Sequence, residues 1–360
     1  MSRVIVAMSG GVDSSVAAAL MHARGHEVIG VTMTLSPQEG RAAPAARGCC
    51  SVWDVTDAEK VAWKLGIAHY VFNLRAEFQK HVIDDFLQEY ARGRTPNPCR
   101  RCNQHIKFDH LLERARELGA ECVVTGHYAR LREDPATGRY RLLRGKDPRK
   151  DQSYVLASLT QEQLRHVRFP IGELRKAEVR ALAEELELGV AHKAESQDLC
   201  FIPDRDTAGF LERNLPPSQP GPIVDSLGRR MGEHRGLAYY TVGQRRGLGL
   251  AGTEPRYVLE LEVVENTLVV GGAEELAETT MRVDELNWVS PGNHRRAQVQ
   301  FRSTSPGAAA SLEPEEDCVA VRFDRPQRAL TPGQAAVFYR RAEVLGGGTI
   351  RSTGRGEARR

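Results

Sequence analysis

Val4-Ile5-Val6-Ala7-Met8-Ser9-Gly10-Gly11-Val12-Asp13-Ser14-Ser15 decides how this chain is read. The apolar run Val4 to Ala7 predicts a strand buried on both faces, as in a parallel sheet. Gly10 and Gly11 permit a tight turn and a close approach of backbone to a ligand. Ser14-Ser15-Val16-Ala17-Ala18-Ala19-Leu20 then starts a helix, with hydroxyl and acidic residues over its first turn. A strand, a glycine turn and a helix N-terminus together aim several N–H groups at one point. That geometry binds phosphate.

The type of phosphate loop narrows the chemistry. No lysine follows the glycines, so this is not G-x-x-x-x-G-K-[ST], and the spacing is not G-x-G-x-x-G. The stretch resembles the S-G-G-x-D-S loop of the PP-loop ATP pyrophosphatases, which release pyrophosphate and leave AMP on an activated oxygen. An ordinary strand-to-helix turn is the bland alternative. Five matching residues within six positions, directly after an N-terminal strand, weigh against it.

Outward from the loop, strands at 27–33, 69–74 and 121–127 alternate with helical patterns at 57–65, 78–90 and 108–118. Alternation of this kind predicts an α/β domain with a parallel sheet and helices on both faces. Ligands in such sheets sit beyond the carboxyl ends of the strands, where Ser9, Met33, Asn73, Gly126 and His127 fall. Two more helical patterns over 161–186 lead to the end of this domain. The Pro- and Gly-rich stretch 214–222 reads as a boundary. Short strands beyond it (221–228, 257–264, 267–270) predict a small mixed or β domain. Period-two alternation from Met281 onward predicts a C-terminal antiparallel β-barrel. The expected division is 1–207, 208–275 and 276–350. The Gly- and Arg-rich tail after Gly346, above all 351–360, is expected to be disordered.

Composition sets the compartment. In 360 residues, 50 Lys and Arg face 47 Asp and Glu, a net charge of +3. That balance is too even to argue for nucleic acid by itself, so local clusters must. No apolar run is long enough for a membrane span, and a soluble cytoplasmic protein with no membrane partner is expected. Seven cysteines, an odd number, do not suggest a secreted disulfide framework. Adjacent Cys49-Cys50 read as structural, and Cys122 and Cys318 as small buried apolar residues.

Thr95-Pro96-Asn97-Pro98-Cys99-Arg100-Arg101-Cys102-Asn103 is the second informative stretch. Arg100, Arg101 and nearby Lys107 are cations that favour thiolate, the nucleophilic form of a cysteine. A lone CxxC fits zinc, redox or catalysis, and no second pair completes a tetrahedral zinc site. A third thiol, Cys200, follows in Glu195-Ser196-Gln197-Asp198-Leu199-Cys200.

The loop at 9–15, T-P-N-P-x-x-x-C-N at 95–103, G-H-Y-A-R at 126–130 and K-D-Q-S-Y at 150–154 occur in order. S-Q-D-L-C-F at 196–201, T-V-G-Q-R-R-G-L at 241–248 and P-G-Q-A-A-V-F-Y at 332–339 follow. Together they resemble the bacterial tRNA-specific 2-thiouridylase family over nearly the whole length. The resemblance implies ATP-dependent thiolation at C2 of the wobble uridine of tRNAs for Lys, Glu and Gln. It implies an ATP site at Ala7, Met8, Ser9, Gly10, Gly11, Val12, Asp13, Ser14, Met33 and Gly126, with Mg²⁺ balancing the phosphates. Cys102 would be the nucleophile, and Cys200 would carry persulfide from a sulfur donor, a cysteine desulfurase or a relay protein. Asn97, Pro98 and Cys99 would border the base. His127, Lys150, Asp151, Gln152, Gln300, Phe301 and Gln334 would touch tRNA. The chain departs from the family at Cys99, commonly an Asp, and at Gln300-Phe301, where an Arg-Tyr pair is usual, with Arg302 a potential substitute.

The first departure creates a three-thiol set, Cys99, Cys102 and Cys200, that could hold a 4Fe–4S cluster as in related thiolating enzymes. A persulfide relay with Cys99 as spectator is the alternative. From Arg130 to Lys150 eight Lys and Arg face three acids, and Ala136-Thr137-Gly138 suits a hairpin turn. This arm reads as tracking tRNA phosphates, with a flipped wobble base read beside it. Two other functions keep some of these features: a PP-loop amide or C–N ligase, and an iron–sulfur RNA-binding module without turnover.

Overall fold

The computed structural model describes residues 1–35, 52–194, 199–202 and 204–355. The Cys49-Cys50 pair and residues 356–360 of the tail lie outside them. The chain divides into two compact units, one of 1–83, 98–205 and 342–344, the other of 84–97, 206–341 and 345–360.

The first unit is built on a parallel sheet. Strands β1 (Arg3–Ala7), β2 (Glu27–Thr34), β3 (Ala68–Asn73), β4 (Cys122–Val124) and, after a hairpin, β7 (Val167–Arg168) lie in the order β3-β2-β1-β4-β7. All four pairings are parallel, with Val4 opposite Val28 on one side and Cys122 on the other. Val4, Ile5 and Val6 are wholly buried, as a central strand covered on both faces must be. Helices α1 (Val12–Ala23) and α2 (Val52–Leu65) follow β1 and β2. The chain winds outward from β1 through β2 to β3, then returns to place β4 on the opposite side of β1. This reversal opens the crevice beyond the ends of β1 and β4, where open α/β sheets bind ligands.

Between β4 and β7 the expected hairpin forms from β5 (Ala129–Glu133) and β6 (Tyr140–Arg144), with Arg132 opposite Arg141. The CxxC segment is helical rather than looped. Pro98–Arg101 makes one α-turn and Cys102–His110 continues as a wider π-type helix, then Leu111–Glu117 as α. Pro98 suits a first helical position, where its missing N–H costs nothing.

The second unit holds two β modules. In the smaller, β8 (Gly221–Asp225), β9 (Arg230–His234), β10 (Tyr257–Glu262) and β11 (Thr267–Gly271) form a mixed sheet in the order β10-β11-β8-β9. The larger comprises β12 (Ala277–Asn287), β13 (Arg296–Gln300), β14 (Ala308–Pro314), β15 (Val319–Arg328), β16 (Ala335–Arg340) and β17 (Glu343–Thr353). β12 pairs with both β15 and β17, which closes an antiparallel barrel over Val283, Val299, Phe301, Leu312, Val321 and Phe338.

The tail expectation needs correcting here. Residues 346–353 are the last strand of the barrel, buried through Ile350. Gly346, Gly347 and Gly348 read as a flexible tail, but their lack of Cβ lets three backbones meet. A Cβ on Gly347 would lie 2.7 Å from the Ala336 carbonyl, and one on Gly348 would strike that of Asp284. Gly347→Ala is therefore expected to cost about 2 kcal/mol through overpacking. Gly189→Ala, where a Cβ meets nothing within 4 Å, is expected to be neutral. Urea midpoints of the two variants check this.

Candidate functional site

The glycine turn is held by its own serines. The Ser9 N–H donates to Ser14 Oγ at 3.1 Å, while the Ser14 and Ser15 hydroxyls donate to the Gly11 carbonyl at 3.1 and 2.9 Å. Gly10 sits at φ +65°, and a Cβ there would strike the Asp54 carbonyl of α2. Ala7, Met8 and Val12 are buried in the core, and the Met8 N–H donates to the Val31 carbonyl at 2.8 Å. Ser9 is exposed, and Met33, at the end of β2, is half-buried. No side chain caps α1 at Gly11.

Two lysines that sequence reading missed complete the loop. Lys176 Nζ donates to both Asp13 carboxylate oxygens at 2.8 Å. Lys193 Nζ donates to the Gly10 carbonyl at 3.0 Å, Asp54 Oδ1 at 2.8 Å and Asp57 Oδ2 at 2.6 Å. Burial opposes the Lys193 charge, but the bonds to Asp54 and Asp57 outweigh it and raise its pKa. They arrive from 163 and 183 residues along the chain. No local motif could announce them.

Gly126, expected to approach a nucleotide, first of all approaches the loop. A Cβ there would lie 2.7 Å from Asp13 C and Ser14 N. Next to it, the Tyr128 hydroxyl donates to Asp13 Oδ1 at 2.7 Å. The Tyr128 N–H donates to Gln152 Oε1 at 3.0 Å, and the Gln152 N–H returns to the Tyr128 carbonyl at 2.9 Å. The Val155 N–H donates to the Gln152 carbonyl at 3.2 Å, and Asn103 Nδ2 to the Val155 carbonyl at 3.4 Å. Asn103 follows Cys102 directly. A hydrogen-bonded path thus runs from the phosphate loop to the CxxC helix within one unit. Asn103 Oδ1, beside that cysteine, is buried without a hydrogen-bond partner.

Cys99 is exposed, and Cys102 and Cys200 are half-buried. Phe201 packs edge-on to Phe78 at 5.9 Å, which anchors the end of the Cys200 segment. Phe78 leads into a short π-type helix, Gln79–Ile83, that packs on Pro98–Arg101. Among the described residues no group of three or more His, Cys, Asp or Glu is placed to hold a metal ion. Cys122 and Cys318 are buried as expected; burial and Glu315 push Cys318 up to about 11.

Several residues expected at tRNA are spent on the protein itself. Asp151 accepts from Arg144 Nη1 at 2.7 Å, the Gly145 N–H at 3.0 Å and the Ser153 N–H at 3.1 Å. Arg132 and Arg141 of the basic hairpin pair with Glu173 and Glu343. Lys150 is half-buried. In the second unit Gln334 Nε2 donates to the Thr95 and Pro96 carbonyls at 3.0 Å, which fixes the backbone just before Asn97. Gln300 and Phe301 are both buried, Gln300 bonding the Arg302 and Ser303 carbonyls and Phe301 packing in the barrel core. Their side chains do not present a surface to RNA. Arg302 is exposed, and its guanidinium donates to the Ala329 carbonyl at 2.6 Å.

Comparison with known proteins gives three family models in succession. They are a tRNA methyl transferase HUP domain over 2–204, a tRNA methyl transferase PRC-barrel domain over 208–272 and an aminomethyltransferase beta-barrel domain over 278–350. The tRNA-specific 2-thiouridylase of Heliobacterium modesticaldum is 50% identical, over 96% of this chain and 92% of that protein. Those of Magnetococcus marinus and Symbiobacterium thermophilum are each 49% identical, over 97% of this chain and 98% and 92% of theirs.

His127, expected to touch tRNA, is 7% exposed in this structure. It is buried between Phe108 and Phe169, shares a 2.7 Å hydrogen bond with Thr125 Oγ1, and burial holds its pKa well below 6.5. The native ring stays neutral where the unfolded one takes a proton, so stability is lost as pH falls below 6.5. The expected slope reaches about 1.4 kcal/mol per pH unit. Urea unfolding at pH 6.5 and about 5.5 checks it: the fall should shrink in His127→Asn. Tyr128→Phe is expected to weaken the loop by about 1.5–3 kcal/mol, as for a hydrogen bond to a charged group, read as a lower melting temperature.

Proposed function

The chain belongs to the tRNA-specific 2-thiouridylase family, and from that membership we propose that it replaces the C2 oxygen of a tRNA wobble uridine with sulfur, using ATP. The observation that carries the reading is the hydrogen-bonded path from Asp13 to Asn103, which ties a phosphate loop to a CxxC thiol.

A uracil C2 carbonyl resists substitution because its oxygen is a poor leaving group. In the proposed reaction that oxygen attacks the α-phosphorus of ATP and expels pyrophosphate toward the loop. The backbone amides at 10–14, over the turn and the N-terminus of α1, suit the polyphosphate. The terminal sulfur of a persulfide on Cys200 then attacks C2, and AMP departs with the former carbonyl oxygen. Cys102 thiolate attacks Cys200 Sγ, the S–S bond breaks with its electron pair going to the sulfur on C2, and the products are the thiocarbonyl on the base and a Cys102–Cys200 disulfide. An external thiol must reduce that bond before the next turnover. Mg²⁺ would enter with the triphosphate and offset its charge; both oxygens of Asp13 already face Lys176.

Recognition of tRNA rests on a smaller set than the sequence suggested. The proposed contacts are Asn97, Pro98 and Cys99 at the base, and Lys150 and the exposed edge of Gln152 at the backbone. Asp151 and Gln334 are proposed to act by shaping these segments. The sulfur comes from a persulfide-bearing donor protein, and the reaction belongs in the cytoplasm; no described helix is long and apolar enough to cross a membrane.

Incubation with Mg-ATP, a persulfide donor and unmodified glutamate tRNA is expected to yield thiouridine and AMP in equal amounts. Cys102→Ser and Cys200→Ser should each abolish thiouridine while leaving equilibrium ATP binding within twofold of the parent. Thiolation that survives either substitution would contradict the relay.

A further inference from the structure

The phosphate loop carries no cation of its own in sequence, yet a triphosphate carries several negative charges. Lys193 supplies an ammonium from 183 residues away. All three of its protons have acceptors: Asp54 Oδ1 at 2.8 Å, Asp57 Oδ2 at 2.6 Å and the Gly10 carbonyl at 3.0 Å. These acceptors are not equivalent. Asp54 and Asp57 are charged, lie on α2 and fix where the ammonium stands. The Gly10 carbonyl is neutral and belongs to the turn that aims the loop amides. An anion at that turn would outbid it, because a phosphate oxygen adds the attraction of opposite charges to the hydrogen bond that the neutral carbonyl offers.

The Lys193 side chain keeps 25% of its exposure, so it is not sealed into the core. The seat is also rigid: the Gly10 turn abuts the Asp54 backbone so closely that a Cβ cannot fit. Lys176 differs, since its two short bonds to Asp13 would have to break before it could turn elsewhere.

We propose that Lys193 is the polyphosphate-binding lysine of this loop, keeping its two carboxylate bonds and turning its third N–H from the Gly10 carbonyl to a β- or γ-phosphate oxygen of ATP. Asp54 and Asp57 are then positioning residues. The same contact holds the pyrophosphate as it leaves. This rests on the ATP-dependent reading above and assigns the group that discriminates ATP from AMP at that site.

Calorimetric titration of the full chain with ATP and, separately, with AMP tests it. Lys193→Met is expected to weaken ATP at least tenfold and AMP less than twofold, with Lys193→Arg recovering most of the ATP affinity. Equal loss for both nucleotides would make Lys193 a structural clamp and overturn the proposal, as would unchanged ATP affinity. Should Lys193→Met not fold, Asp57→Asn takes its place, with a smaller loss for ATP and again none for AMP; equal or absent losses there overturn it too. If the unsubstituted chain bound no ATP at all, the proposed function would fail before the lysine was tested.

Discussion

One carboxylate organises the first unit. Asp13, at the start of α1, receives the Tyr128 hydroxyl from the β4 side of the crevice and Lys176 from a helix far along the chain. A charged group met by a cation and a hydroxyl, and only partly exposed, is costly to disturb. It fixes the loop in one geometry before any nucleotide arrives, which is preorganisation in the sense that matters for catalysis. The same tyrosine continues through Gln152 and Val155 to the residue after Cys102. Position at the loop and position at the thiol are therefore set by one network.

Much of this was legible in sequence, because it depends on local pattern. The buried run of β1, the glycines after it and the alternation of strands with helices gave the parallel sheet and the crevice. The hairpin at 129–144 and the closed barrel followed from turn residues and period two. Several strands escaped, among them Val167–Arg168 inside a stretch read as helical. Arg230–His234 is polar with a central glycine, and Ala308–Pro314 opens with three alanines, so neither carries the β-branched or aromatic signal. Gly346 to Gly348 misled for the opposite reason: glycine marks both flexible tails and the closest backbone contacts.

The site was legible only where its residues are contiguous. Lys176 and Lys193 are ordinary helix and loop lysines until the fold carries them to Asp13 and Gly10. Family likeness placed His127, Gln300 and Phe301 at tRNA; all three are buried here, His127 and Gln300 with hydrogen-bond partners inside the protein, and a linear motif does not report burial. Asp151 and Gln334 show a related effect. Their polar atoms bind neighbouring backbone, and Asp151 also Arg144, so each holds the shape of the segment it touches.

The central chemical claim is that the uridine oxygen leaves on AMP. Glutamate tRNA carrying ¹⁸O at C2 of its wobble uridine, turned over with Mg-ATP and a persulfide donor, tests it by mass spectrometry of the nucleotide released. The account predicts one ¹⁸O in the phosphate of each AMP formed per thiouridine. Unlabelled AMP, with the ¹⁸O recovered in water, would contradict it.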